Sequence, residues 1–237
     1  MAKRPIFEPD LNGFPYVKEV YIDFKWYPGF AKSQAQKSIS SLHAAAEKQG
    51  ISPVLEISSK STESLGVSLS AFNLLLKVQN GHIMSVECAY QGSKVFENGG
   101  PYADLYSVSS REAKTDERLR NSGDLVAFNF MGEDFPSYPT TAFYDWLYIG
   151  ALWQNLNLAQ QLVAFRGFSD IAFNPKRSLN CQARSAALFV SLYQSGLIEP
   201  AVQEKSYYLK LMTDSENQIS SSKQEAYQLN ISFPQRQ

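Results

Sequence analysis

Glu87, Gln91 and Lys94 fall within the run Val86-Glu87-Cys88-Ala89-Tyr90-Gln91-Gly92-Ser93-Lys94-Val95-Phe96. The run predicts a helix, on which residues three, four and seven apart share a face. This carboxylate, amide and amine then form one polar stripe with Tyr90 beside it, while Val86, Ala89 and Val95 turn to the sides. A carboxylate can shuttle protons and an amine can act as a nucleophile. The same spacing also suits a solvated face whose end charges are too far apart to interact. Asp145, between Tyr144 and Trp146 in an apolar run, offers either a perturbed acid or base or a structural carboxylate held by an Arg or a backbone N–H. Burying a carboxylate is costly unless it is paired, which favours the structural reading. Asp170 ends Arg166-Gly167-Phe168-Ser169-Asp170, ahead of Asn174, Lys176, Arg177 and Asn180. Loops with clustered polar groups carry function disproportionately, and Lys60, Lys176 and Arg177 offer positive charge to a phosphate. Gly99-Gly100-Pro101-Tyr102 permits close backbone approach to a ligand, or is a plain turn. Tyr102 and Trp146 are either stacking surfaces for a base or core aromatics. His43 and His82 form no Ser-His-Asp order, and no P-loop or GxGxxG is present.

These groups need elements to hold them. Val20 to Trp26 partly alternates and predicts a strand ended by Pro28-Gly29; Ala31 to Gln49 predicts a helix closed by Gly50. Val54 to Ser59 predicts a short strand. Leu74–Val78 and Ile83–Val86 flank Gln79-Asn80-Gly81, a hairpin-turn signal. Arg111 to Arg120 is a charged segment, and Leu125 to Phe130 a strand. Ala142 to Asn155 is apolar all round and predicts a central helix. Phe165 to Leu179 reads as a long loop, Asn180 to Gln194 as a helix stopped by Gly196, and Leu229 to Phe233 as a final strand after a polar stretch. The pattern is a mixed, helix-rich α+β single domain with small β elements, organised as an N-terminal extension (1–53), a core (54–200) and a C-terminal strand or tail region (201–237).

With 237 residues, 44% of them hydrophobic, the chain can build a sizeable core. Its 22 basic and 23 acidic residues give no global sign of nucleic-acid binding, although affinity follows local charge placement. Cys88 and Cys181 lack any CxxC spacing, so free buried thiols and no metal site are expected. No leader or membrane-spanning run is read, and a soluble cytoplasmic protein is expected.

The segment from Ser85 to Phe96 resembles the central motif of the NADAR superfamily (YbiA-like proteins), approximately T-[VS]-E-H-Y-[FY]-Q-A-x-K-F. Leu69-Ser70-Ala71-Phe72-Asn73-Leu74 is similar to that family's F-S-N-F segment. Ser169-Asp170 followed by Asn180-Cys181-Gln182-Ala183-Arg184 resembles its D-x-x-W-G-x-G…G-x-N-x-L-G region. The three segments occur in the family's order and span about residues 54 to 198. Cys88 stands where the motif has His, Ile57-Ser58 where it has Phe-Tyr, and Phe173-Asn174-Pro175-Lys176 where it has a Trp-Gly-rich loop. The helix from Ser33 to His43 and the segment Thr140 to Leu147 resemble the NADAR antitoxins found beside DarT-type DNA ADP-ribosyltransferase toxins.

The resemblance implies the NADAR/YbiA-like fold, N-glycosidic bond cleavage without a cofactor, and removal of ADP-ribose from guanine in DNA. The implied partners are ADP-ribosylated DNA or ADP-ribose, with functional pairing to the toxin. By motif position Glu87, Lys94 and Asp170 take the catalytic roles. Ser70, Asn73, Tyr90, Gln91, Gly100, Tyr102, Trp146, Asn180, Lys60 and Arg177 make up the substrate-binding set. Other outcomes compatible with the sequence are a non-catalytic binding module for ADP-ribose or an NAD derivative, and an N-glycosidase for a phosphoribosyl metabolite of riboflavin biosynthesis.

Overall fold

The computed structural model describes residues 1–13, 15–175 and 178–213. The expected strand from Leu229 to Phe233 lies outside them. The fold is mixed α and β, with short strands between helices. In chain order the strands are β1 (Ala2–Pro9), β2 (Val17–Phe24), β3 (Val54–Glu56), β4 (Leu75–Lys77), β5 (Ile83–Ser85), β6 (Lys94–Phe96), β7 (Leu125–Phe130), β8 (Glu133–Pro136) and β9 (Gly167–Ser169). The helices are α1 (Lys32–Glu47), α2 (Ser64–Ser68), α3 (Val86–Gly92), α4 (Ser110–Thr115), α5 (Arg118–Asn121), α6 (Ala142–Gln154), α7 (Leu156–Ala159), α8 (Gln182–Gln194) and α9 (Ile198–Gln203).

The main sheet runs β2-β1-β9-β3, with β1 antiparallel to both β2 and β9, and β9 parallel to β3. Successive residues of β1 point to opposite faces. Ile6 joins a cluster with Ile39 and Leu42 of α1, while Phe7 joins the larger cluster around α6 and α8. A sheet covered on both faces buries consecutive residues, which explains why Pro5 through Glu8 are all buried. The residues read as a loop from Phe165 to Leu179 contain β9, which is wedged between β1 and β3. Three residues are too few to show alternation, and Gly167 is placed so that a Cβ would run into Ile6.

α6 is buried along most of its length because its apolar residues face all round, and it packs on the small-residue surface of α8. Its one acid, Asp145, accepts hydrogen bonds from Arg184 Nη1 (2.5 Å) and Ser185 Oγ (2.5 Å). The structural reading of Asp145 is therefore the one observed. The β4–β5 hairpin forms over Gly81, whose φ of +84° suits the turn. Cys88 and Cys181 are free and buried. Among the described residues no helix is long and apolar enough to cross a membrane.

The run from Val86 to Phe96 is not one helix. α3 ends at Gly92, Ser93 caps it by donating its hydroxyl to Ala89 O (2.6 Å), and β6 begins at Lys94. Gly92 lies against the Tyr106 ring, leaving no room for a Cβ. β-branched Val95 and aromatic Phe96 suit a strand, and Lys94 pairs with Phe128 of β7. Lys94 thus reaches the site from a strand and not from a helical stripe.

Candidate active site

α3 is fixed at its start by neighbouring backbone. Val86 N donates to Leu74 O (3.0 Å) and Glu87 N to Ala71 O (2.9 Å), while Ser85 Oγ accepts from Cys88 N (3.1 Å). These bonds satisfy donors that a helix N-terminus leaves open, and they set Glu87 against the 70–74 segment. Gln91, one turn on, donates Nε2 to Glu87 Oε1 (2.8 Å). The carboxylate accepts only the amide's NH2, so this bond fixes the Gln91 side-chain orientation and leaves Oε1 as its outward atom.

Glu87, Gln91, Tyr90 and Lys94 line a cleft of about 600 Å³ together with Asp170, Lys60, Ser70 and Asn180. This is within the size range of small-molecule sites, roughly 300–1,000 Å³. Tyr90 is the floor beneath Lys94, whose Nζ lies 4.6 Å from the ring centroid, and Tyr90 OH accepts from Asn180 Nδ2 (2.6 Å). Burial lowers the Lys94 ammonium to about 8; Glu87 acts against this and Lys114 with it. Burial likewise raises Asp170. Asp170 is held by Ala172 N (3.0 Å) on Oδ1 and Gln182 Nε2 (3.0 Å) on Oδ2.

Gln182 also donates to Ile57 O (2.6 Å) and accepts from Ala71 N (2.7 Å). One amide therefore ties together the end of β3, the segment before α3 and the loop after β9. Behind Asp170, Glu56 accepts from Ser169 Oγ (2.5 Å), Ser58 Oγ (2.7 Å) and Ile171 N (2.9 Å). Burial, and then the Asp170 charge, push Glu56 upward, and these donors oppose the shift. Burial lowers His43 to about 4, so it is neutral; its Nε2 lies 2.9 Å from Ser169 Oγ. With the Ser169 proton directed at Glu56, the imidazole Nε2–H is the donor to Ser169.

Several cleft residues escape sequence reasoning. Lys114 on α4 places Nζ 3.5 Å from Glu87 Oε1 and 5.1 Å from the Phe72 ring centroid, but the charged run from Arg111 to Arg120 gave no sign of which cation turns inward. Phe72, Tyr144, Ser58 and Gln182 also line the cleft. Four candidates lie outside it. Asn73 donates to Val67 O (2.8 Å), and Trp146 packs on Phe135. Gly100, with φ of +87°, packs on the Lys94 backbone; Tyr102 bonds Ser122 and carries the Arg118 guanidinium on its ring. Both support β6 from behind. Lys176 and Arg177 are outside the described residues.

Six buried side-chain polar atoms among the described residues lack a hydrogen-bond partner, and three of them line this cleft: Ser70 Oγ, Gln91 Oε1 and Asn180 Oδ1. Buried polar atoms are seldom left unpaired, so their convergence marks a place for a ligand's hydroxyl or amine groups. Among the described residues no three His, Cys, Asp or Glu side chains group as metal ligands would. The arrangement supplies a buried amine of lowered basicity, two carboxylates and open acceptors in one cavity.

The family model for the DarT1-associated NADAR antitoxin matches residues 2–222. No match to a curated protein is found. The match takes in nearly the whole chain, so this protein belongs to the DarT1-associated NADAR antitoxins, and its antitoxin role is linked to a DarT toxin.

Proposed function

We propose that the protein is a hydrolase that removes ADP-ribose from guanine in DNA by cleaving the N-glycosidic bond. The observation that carries this reading is the placement of the Lys94 amine over the Tyr90 ring in the same cleft as Glu87, where burial lowers it to about 8. Near neutral pH such an amine is unprotonated far more often than that of an unperturbed lysine. A free amine is what nucleophilic attack requires.

In the proposed sequence Glu87 takes the proton from the Lys94 ammonium and passes it to the ribose ring oxygen as that oxygen's bond to the anomeric carbon breaks, leaving the carbon doubly bonded to the guanine nitrogen. Lys94 Nζ adds to the carbon. The guanine nitrogen takes up a proton and departs, which leaves a Schiff base on Lys94. Water then adds, the Lys94–carbon bond breaks, and the sugar closes its ring. The sum is one glycosidic bond hydrolysed, with no redox change. Asp170, lining the same cleft, assists, Ser70, Gln91 and Asn180 bind sugar hydroxyls, and Lys60 meets the diphosphate. Base pairing hides the guanine attachment, so the substrate is single-stranded or extruded.

The test is borohydride trapping during turnover of an ADP-ribosylated guanosine oligonucleotide. Wild type should gain one reduced ADP-ribosyl group at Lys94, and folded Lys94→Ala should neither trap nor release. Full release by Lys94→Ala would refute the Schiff-base route. Tight ADP-ribose binding by wild type without release would leave a binding module instead.

A further inference from the structure

Beside the cleft lies a basic, aromatic face of which the proposed chemistry uses only Lys60, at the boundary. From Phe24 to Ala46 the chain has Lys25, Lys32 and Lys37 and no Asp or Glu, although the whole protein carries a net charge of −1. Phe30, between Gly29 and the start of α1, is fully exposed, and Trp26 is 39% exposed. Trp26 keeps an edge contact with Phe24 (6.2 Å between centroids), and exposed rings grouped on one face suit a contact surface.

Two grooves run from the cleft along these residues, one adjoining it and the second continuing from Tyr27. The first, lined by Trp26, Tyr27 and Phe30, shares Lys60 and Ala172 with the cleft itself. The second begins at Tyr27 and continues to Lys37 on α1. Cations already accompany the rings: Lys25 Nζ lies 4.9 Å from the Tyr27 centroid, and the Arg4 guanidinium lies 5.6 Å from that of Trp26. The segment is also held in place. Ser38 Oγ accepts from Tyr27 N (3.0 Å) and Ser41 Oγ from Lys25 N (3.2 Å), which fastens it to α1. Rings with cations at their edges, arranged along a groove, suit a strand of stacked bases joined by phosphates.

We propose that this face, from Lys60 over Trp26, Tyr27 and Phe30 to Lys37, is the docking track for the single-stranded DNA flanking the modified guanine. The proposal rests on the reading of the cleft as a site for a nucleotide in DNA. It adds where the neighbouring nucleotides lie and why a net-acidic chain can hold a polyanion.

The experiment compares wild type with the double variant Phe30→Ala/Lys37→Glu in the full chain; both side chains are exposed, so the melting curve should not change. Anisotropy of a labelled oligothymidylate should show salt-sensitive binding by wild type and binding about tenfold weaker by the variant, as expected for a lost stacking platform and a reversed charge. Catalytic efficiency on an ADP-ribosylated oligonucleotide should fall by a similar factor, while release from ADP-ribosylated guanosine alone stays unchanged. Equal oligothymidylate affinities overturn the proposal, and so does an equal loss on the mononucleoside. Retained DNA binding with lost binding to the toxin also overturns it, by making the face a protein dock. Failure of wild type to release ADP-ribose from either substrate defeats the hydrolase reading, whereas the oligothymidylate comparison tests the track independently of turnover.

Discussion

Replacing Lys94 by methionine keeps the length and apolar stem of the side chain and removes the amine. The folded protein lowers this amine from 10.5 to about 8, with burial as the largest cause. Between those values the unfolded chain holds a proton that the folded chain has released, so stability rises with pH across that window. Below pH 8 the folded state carries the whole penalty, which at 1.36 kcal/mol per unit is about 3 kcal/mol. Lys94→Met should therefore be inactive and yet more stable than wild type at pH 7, by up to about 3 kcal/mol or roughly 6–12 °C for a chain of this size. By pH 10 the difference should shrink to about 1 kcal/mol. Urea melts of both proteins at pH 7 and pH 10, with ADP-ribose release measured alongside, provide the check. A variant less stable than wild type at pH 7, or a stability difference that does not change with pH, would refute the idea that burial sets the reactivity of this amine.

The charges around Lys94 give opposed signatures. Glu87→Gln should lower the maximal release rate by roughly 10²- to 10⁴-fold, the usual range for a lost general acid–base, and should move the midpoint of the pH–rate profile below 8, because Glu87 favours the charged amine. Lys114→Met should move that midpoint above 8, because its charge opposes protonation of Lys94. Asp145→Ala should leave Arg184 without its partner in the core and destabilise by about 3–5 kcal/mol in thermal or urea melts.

Long periodic elements were legible in the sequence. α1 and α8 carry enough turns for an apolar face to declare itself, α6 is apolar all round, and Gly81 marks the β4–β5 turn. Short elements set by distant partners were not. β9 is three residues whose pairing depends on β1 and β3, and Lys94 leaves the helix where Gly92 meets the Tyr106 ring and β6 pairs with β7 at Phe128, which local pattern does not encode. The site divides in the same way. Glu87 and Gln91 are one helical turn apart and could be paired from spacing alone. Lys114, Gln182 and the buried row from His43 through Ser169 to Glu56 come together only through contacts between residues far apart in the chain. His43 in particular looked uninformative because a neutral imidazole used as a buried donor leaves no mark on neighbouring sequence.

The place of β9 in the sheet also governs when the sheet can be completed during synthesis. The β1–β2 hairpin can form as soon as it emerges, with an eight-residue register of its own. The other side of β1 and the side of β3 that meets β9 stay open until residues 167–169 follow, more than a hundred residues later. Pairings that wait on so long a loop form slowly, and open strand edges are the surfaces through which nascent chains associate wrongly. The Gln182 tie comes later still. A nascent chain that stops short of α8 has Glu87 and Lys94 but lacks the amide that joins the end of β3, the segment before α3 and the loop after β9.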